Sequence, residues 1–104
     1  MSEFVPVAKV GDVPPGEHIR VEVDGEGVLL ANVGGEFYAV LDTCTHEEAR
    51  LSQGFLMGSR IECPLHGSMF DVKTGDVKGL PATIPLPTFE TKVEGDDVYV
   101  RLPD

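Results

Sequence analysis

The chain has two cysteines, and each stands close to a histidine. Cys44 lies two positions before His46 and Cys63 three before His66, with sixteen residues between the two pairs. Each stretch therefore offers one thiolate and one imidazole, and the four together would suit a soft-to-borderline metal centre. Three chemistries use these residue types. A disulfide between Cys44 and Cys63 leaves both histidines without a purpose, and nothing in the sequence points to the oxidising compartment in which disulfides persist. A structural zinc takes four tetrahedral nitrogen or sulfur ligands, but such sites usually pair like with like, two cysteines on one knuckle and two histidines on a helix. A two-iron, two-sulfide cluster with both cysteines on one iron and both histidines on the other needs mixed loops, because each loop must reach both irons. The mixed pairs favour the cluster and leave zinc as the alternative.

The residues around the ligands carry a family resemblance. The run C-T-H-E-E-A-R-L-S-Q-G-F-L, followed by I-E-C-P-L-H-G-S-M-F-D-V-K-T-G, resembles the Rieske [2Fe-2S] ferredoxins of bacterial aromatic-ring-hydroxylating dioxygenase systems. Downstream, G-L-P-A-T-I-P-L-P is similar to the proline loop that covers the cluster in that family. The resemblance spans roughly 37–102, and both ligand loops at this spacing are a specific signal. It implies Cys44, His46, Cys63 and His66 as the cluster ligands, with Gly67, Ser68, Leu51, Leu65 and Pro81 behind or around them. Gly67 would let backbone amides approach the cluster sulfurs or simply make a turn, and Pro64 would stiffen the second loop or serve only its turn. Leu51, Leu65 and Pro81 would exclude water or serve ordinary core packing, whereas Met69 and Phe70 read as core. His46 and His66 would form the exposed surface through which electrons enter and leave.

The same resemblance places the reduction potential near the low end of the Rieske range of about −150 to +300 mV. Higher-potential relatives join an extra cysteine from each loop in a disulfide, and the matching positions here are Ala49 and Leu65. They also direct a serine and a tyrosine hydroxyl at the cluster sulfurs. Ser68 matches the first, but Phe70 stands where the tyrosine would be. Each hydroxyl bonded to sulfur stabilises the reduced state, so a missing one lowers the potential. The potential is also expected to fall as pH rises through the ionisation of the ligand imidazoles.

Eight Lys and Arg against eighteen Asp and Glu give a net charge of −10. That balance disfavours nucleic acid, whose phosphates need clustered cations. It suits docking on a basic patch of a protein partner. No apolar run approaches the roughly 20 residues that span a bilayer, and the first residues lack a signal segment or twin arginine. A cytoplasmic, membrane-free, monomeric protein is expected. No catalytic dyad is suggested, so the chain reads as an electron carrier rather than an enzyme. By resemblance it would take electrons from an FAD-dependent, NADH-oxidising reductase and deliver them to a terminal oxygenase with its own Rieske centre, in aromatic hydrocarbon catabolism. Two other readings remain: a Rieske-like small subunit of a larger redox enzyme such as nitrite reductase, and a zinc-stabilised binding module.

The elements that must position these ligands read as all-β. A chain of 104 residues is one domain, 1–104. Runs of Val, Ile, Phe and Tyr alternate with Gly, Asp and Pro clusters, without a helical period. A first strand is expected at 4–8, at an edge because Pro6 cannot donate to a ladder. Residues 18–23 alternate, with Ile19, Val21 and Val23 on one face. Turns at 24–27 and 34–35 lead into strands 28–32 and 37–41. After the first ligand loop, 47–50 reads as a polar surface segment. Strands at 59–62 and 68–72 flank the second loop, and 89–93 and 98–102 close an antiparallel scaffold. The stretch 43–70 is expected as a small cluster-binding subdomain inserted into that scaffold. His18, remote from both loops, is expected on the solvent face.

Overall fold

The computed structural model describes residues 3–44, 49–65, 67–80 and 82–102. These form β1 (Val5–Lys9), β2 (His18–Val23), β3 (Glu26–Val33), β4 (Glu36–Leu41), β5 (Phe55–Met57), β6 (Arg60–Glu62), β7 (Met69–Asp71), β8 (Val77–Gly79), β9 (Thr88–Glu94) and β10 (Asp97–Arg101), with short 3-10 turns at Val10–Asp12 and Leu51–Gln53. Every strand pairing is antiparallel. The strands make a six-stranded sheet in the order β1-β10-β9-β4-β3-β2 and a four-stranded sheet in the order β5-β6-β7-β8.

The β2–β3–β4 meander is built by two tight turns. Asp24 and Gly25 have φ of 50° and 82°, and Gly34 and Gly35 have 63° and 97°. A two-residue hairpin with both central residues left-handed matches the twist of its strands, which is why glycine and a short polar residue stand there. β1 lies at the edge of the large sheet, as Pro6 requires, with a bulge between Pro6 and Ala8. The opposite edge strand, β2, also touches it, so the sheet curls toward closure.

β3 is buried on both faces, which explains its unbroken apolar run. Val28 and Leu30 face one core with Phe37, Ala39, Val98 and Val100. Leu29 and Ala31 face a second core with Val40, and that core reaches into the small sheet through Ile61 and Phe70. Fully burying such a side chain contributes about 1.5–3 kcal/mol, so the second core is what holds the small sheet on the large one. The small sheet takes in residues as far as Gly79, and its outer strands β5 and β8 have no counterpart in the sequence reading. Gly54 lets β5 enter it: a Cβ there would lie 1.8 Å from the Glu62 carbonyl oxygen.

Candidate metal centre

The first cysteine follows directly from the end of β4. Asp42 donates its N–H to the Gly27 carbonyl at 3.0 Å, prolonging the β3–β4 pairing by one residue. Its carboxylate is buried and fully engaged. Oδ1 accepts the Ser52 N–H at 2.6 Å, and Oδ2 accepts the Ser52 hydroxyl at 2.6 Å and Arg20 Nη1 at 2.8 Å. Two residues on, Cys44 donates its N–H to the Ala49 carbonyl at 2.9 Å and so closes the neck of the first loop. The second cysteine follows from the end of β6. Cys63 donates its N–H to the Ser68 carbonyl at 2.7 Å, and the Gly67 N–H donates to the Cys63 carbonyl at 3.2 Å. Both ligand loops are thus short excursions between hydrogen-bonded stems.

The two cysteines are 3% and 2% exposed and belong to one apolar cluster, with Leu51, Ile61, Phe70 and Ala82 among its members. They are not joined to each other in a disulfide. Two sulfurs sunk in one apolar core, delivered by separate loops, fit the cysteine half of a two-iron cluster and shield it from water. His46, His66 and Pro81 lie outside the described residues. Among the described residues no group of three or more His, Cys, Asp or Glu is gathered.

The other expected site residues divide. Leu51 is fully buried in the same apolar cluster as both cysteines, while Leu65 is 58% exposed at the second loop. Gly67 has φ of 77°, so the turn requires glycine, and its N–H donates to the Cys63 carbonyl. Ser68 is buried, and its Oγ accepts the Ala82 N–H at 3.1 Å. That bond ties the segment after β8 to the second loop. A second tie is the Leu86 N–H donated to the Gly75 carbonyl at 2.8 Å. Phe70 is fully buried, as expected of core.

Two expectations are corrected. Ala49, placed with a polar surface segment, is buried in the cysteine core, because its carbonyl must reach back to Cys44. His18, expected in solvent, is half-buried with Nε2 2.9 Å from the Ser52 carbonyl oxygen, since β2 is the edge strand against which the Leu51–Gln53 turn packs. Sequence reasoning also missed Asp42, Arg20 and Ser52. The available signal was an acidic residue wedged between the apolar end of β4 and Cys44.

The chain belongs to the Rieske [2Fe-2S] domain family, whose model matches residues 3–90. Its relatives are ferredoxin components of dioxygenases. It is 50% identical over 96 residues to the ferredoxin component of biphenyl 2,3-dioxygenase from Rhodococcus jostii, covering 92% of this chain and 90% of the relative. The ferredoxin of carbazole 1,9a-dioxygenase from Nocardioides aromaticivorans superposes with a TM-score of 0.90 at 36% identity, over 93% of this chain and 95% of that one. A ferredoxin solved in complex with the oxygenase of carbazole 1,9a-dioxygenase superposes with a TM-score of 0.89 at 44% identity, over 93% and 91%. The antiparallel all-β fold is therefore that of a Rieske ferredoxin.

Proposed function

We propose that this protein carries single electrons through a Rieske [2Fe-2S] cluster, from an NADH-oxidising, FAD-dependent reductase to a terminal ring-hydroxylating oxygenase with a Rieske centre of its own. The observation that carries the reading is the burial of Cys44 and Cys63 in one apolar core at the necks of two loops. Those loops also bear His46 and His66, which complete the ligand set. When bound, such a cluster supplies one reversible one-electron couple.

The chain's own residues position and insulate it. Leu51 and Phe70 fill the core that holds the cysteines, and Ser68 ties the segment after β8 to the second loop through Ala82. Leu65, Leu80 and Ile84 are exposed apolar side chains on the second loop and on that segment, which suits a surface where a partner docks. Phe70 offers no hydroxyl to sulfur, and the chain's net charge of −10 disfavours an added electron, so the potential belongs at the low end of the range. The protein acts as one domain, 1–104, with the cluster-binding unit about 43–70, and works as a cytoplasmic monomer. Among the described residues no helix is long and apolar enough to cross a membrane.

The test is a reconstituted system of reductase, terminal oxygenase and aromatic substrate, as in biphenyl oxidation. Product formation coupled to NADH should rise with added protein and be lost with Cys63→Ser. Equal turnover without the protein would contradict the carrier role. Stoichiometric co-purification with a larger redox enzyme would instead make it a bound subunit.

A further inference from the structure

Behind the first ligand loop lies a buried charge pair that the ligand chemistry does not require. The Asp42 side chain is wholly buried, and that of Arg20 is 27% exposed. Arg20 is delivered from β2, twenty-two positions away, and its guanidinium lies over Gly27. A Cβ at Gly27 would meet Nη1 at 2.3 Å and Cζ and Nη2 at 2.4 Å. Ser52 grips the same carboxylate through both its N–H and its hydroxyl, and its carbonyl oxygen lies against His18. One carboxylate thus fastens β2 and the Leu51–Gln53 turn to the residue from which the Cys44 loop departs.

Such a network has two consequences at Cys44. Two residues of chain span at most about 7 Å, so the pair is near the cluster's cysteine side. A buried pair is screened far less than a surface one, so each of its charges acts on a neighbouring redox centre. Moreover, a carboxylate with three charge-assisted or short bonds fixes its backbone, and hence the neck of the loop.

We propose that Asp42 is a positioning residue for the Cys44 loop, and that its pairing with Arg20 sets the charge the cluster experiences from this side. The proposal rests on the Rieske reading. Removing the cation leaves a bare carboxylate near the cluster, which disfavours reduction. Removing the carboxylate charge leaves a bare guanidinium, which favours it. A residue that only held the loop would not give shifts of opposite sign.

The experiment measures the midpoint potential, at one pH and ionic strength, of wild type, Arg20→Leu, Arg20→Lys and Asp42→Asn, each loaded with iron and sulfide. Arg20→Leu should lower the potential, Asp42→Asn should raise it, and Arg20→Lys should stay near wild type. The rate of cluster loss to a chelator, read by visible absorbance, should rise about 10-fold or more in Asp42→Asn and Ser52→Ala. Potentials that are unchanged, that move in one direction for both charge removals, or that are equal for Arg20→Leu and Arg20→Lys would overturn the proposal. Should Asp42→Asn not fold, the Arg20 pair decides alone: a fall with Leu and recovery with Lys supports the proposal, and anything else refutes it. A wild type without a histidine-ligated cluster would instead remove the functional reading, a result visible before any variant is made.

Discussion

Gly54→Ala gives a sharp test of how the small sheet is joined. The added Cβ would stand 1.8 Å from the Glu62 carbonyl oxygen and 3.0 Å from its carbon. Ordinary contact begins at 3.4 Å, so the backbones must part by about 1.6 Å (3.4 less 1.8). Neither side can yield by rotating a side chain, because both are main chain. The β5–β6 pairing, which begins at Phe55 opposite Glu62, has to open at that end. Forcing atoms into a filled site costs about 1–3 kcal/mol, and losing a backbone bond about 1 kcal/mol more. A total of about 2–4 kcal/mol should lower Tm by about 10–25 °C in a domain of this size. Gly95→Ala is the control. Gly54 has an ordinary φ of −93°, whereas Gly95 has a left-handed φ of 60° with nothing within 4 Å of its would-be Cβ, so there only conformational strain of about 1–2 kcal/mol applies. Both are read by circular dichroism on heating, and Gly54→Ala should also hold its cluster poorly, because Glu62 precedes Cys63. A Gly54→Ala melt no lower than that of Gly95→Ala would refute the close approach.

Three further outcomes follow from the same geometry. Leu51→Ala empties a fully buried site in the core that holds both cysteines and should cost about 2–5 kcal/mol, read as a lower urea midpoint at unchanged m value. Ser68→Ala strands the buried Ala82 N–H, which costs about 1–3 kcal/mol; exchange of that amide, followed by NMR, should quicken at least tenfold, and an unchanged rate would deny the bond. Tyr38 is held protonated above its ordinary range, mainly by donating its hydroxyl to Glu36. Because the folded value is raised, its contribution is complete below the unfolded pKa of about 10 and is lost as pH climbs through the folded one. Tyrosinate absorbance should show Tyr38 ionising at lower pH in Glu36→Gln than in wild type.

What the sequence made legible follows from local chemistry. Asp24-Gly25 and Gly34-Gly35 announce their hairpins because two adjacent left-handed residues are a requirement few side chains meet. Cys44 and Cys63 stand out in the sequence as candidate metal ligands because sulfur paired with imidazole at short spacing has few other uses, and the fold brings both into one apolar core. The strands β5 and β8 were not legible: Phe55-Leu56-Met57 is apolar throughout and Val77-Lys78-Gly79 ends in a glycine, so neither shows the alternation that Arg60-Ile61-Glu62 does. Neither was Asp42: an acidic residue is expected in water, and its partner Arg20 is brought to it only when β2, β3 and β4 pair. His18 reaches Ser52 across thirty-four positions for the same reason. Ala49 followed two glutamates and read as surface, although the loop neck requires its carbonyl beside Cys44.

The central claim is that this chain holds a cluster with two cysteine and two histidine ligands. Electron paramagnetic resonance of the dithionite-reduced protein, with iron and acid-labile sulfide assayed on the same sample, tests it most directly. Two irons and two sulfides per chain are expected, with a rhombic signal whose average g value lies below that of all-cysteine clusters. A colourless protein carrying zinc, without sulfide and without that signal after anaerobic preparation, would contradict it.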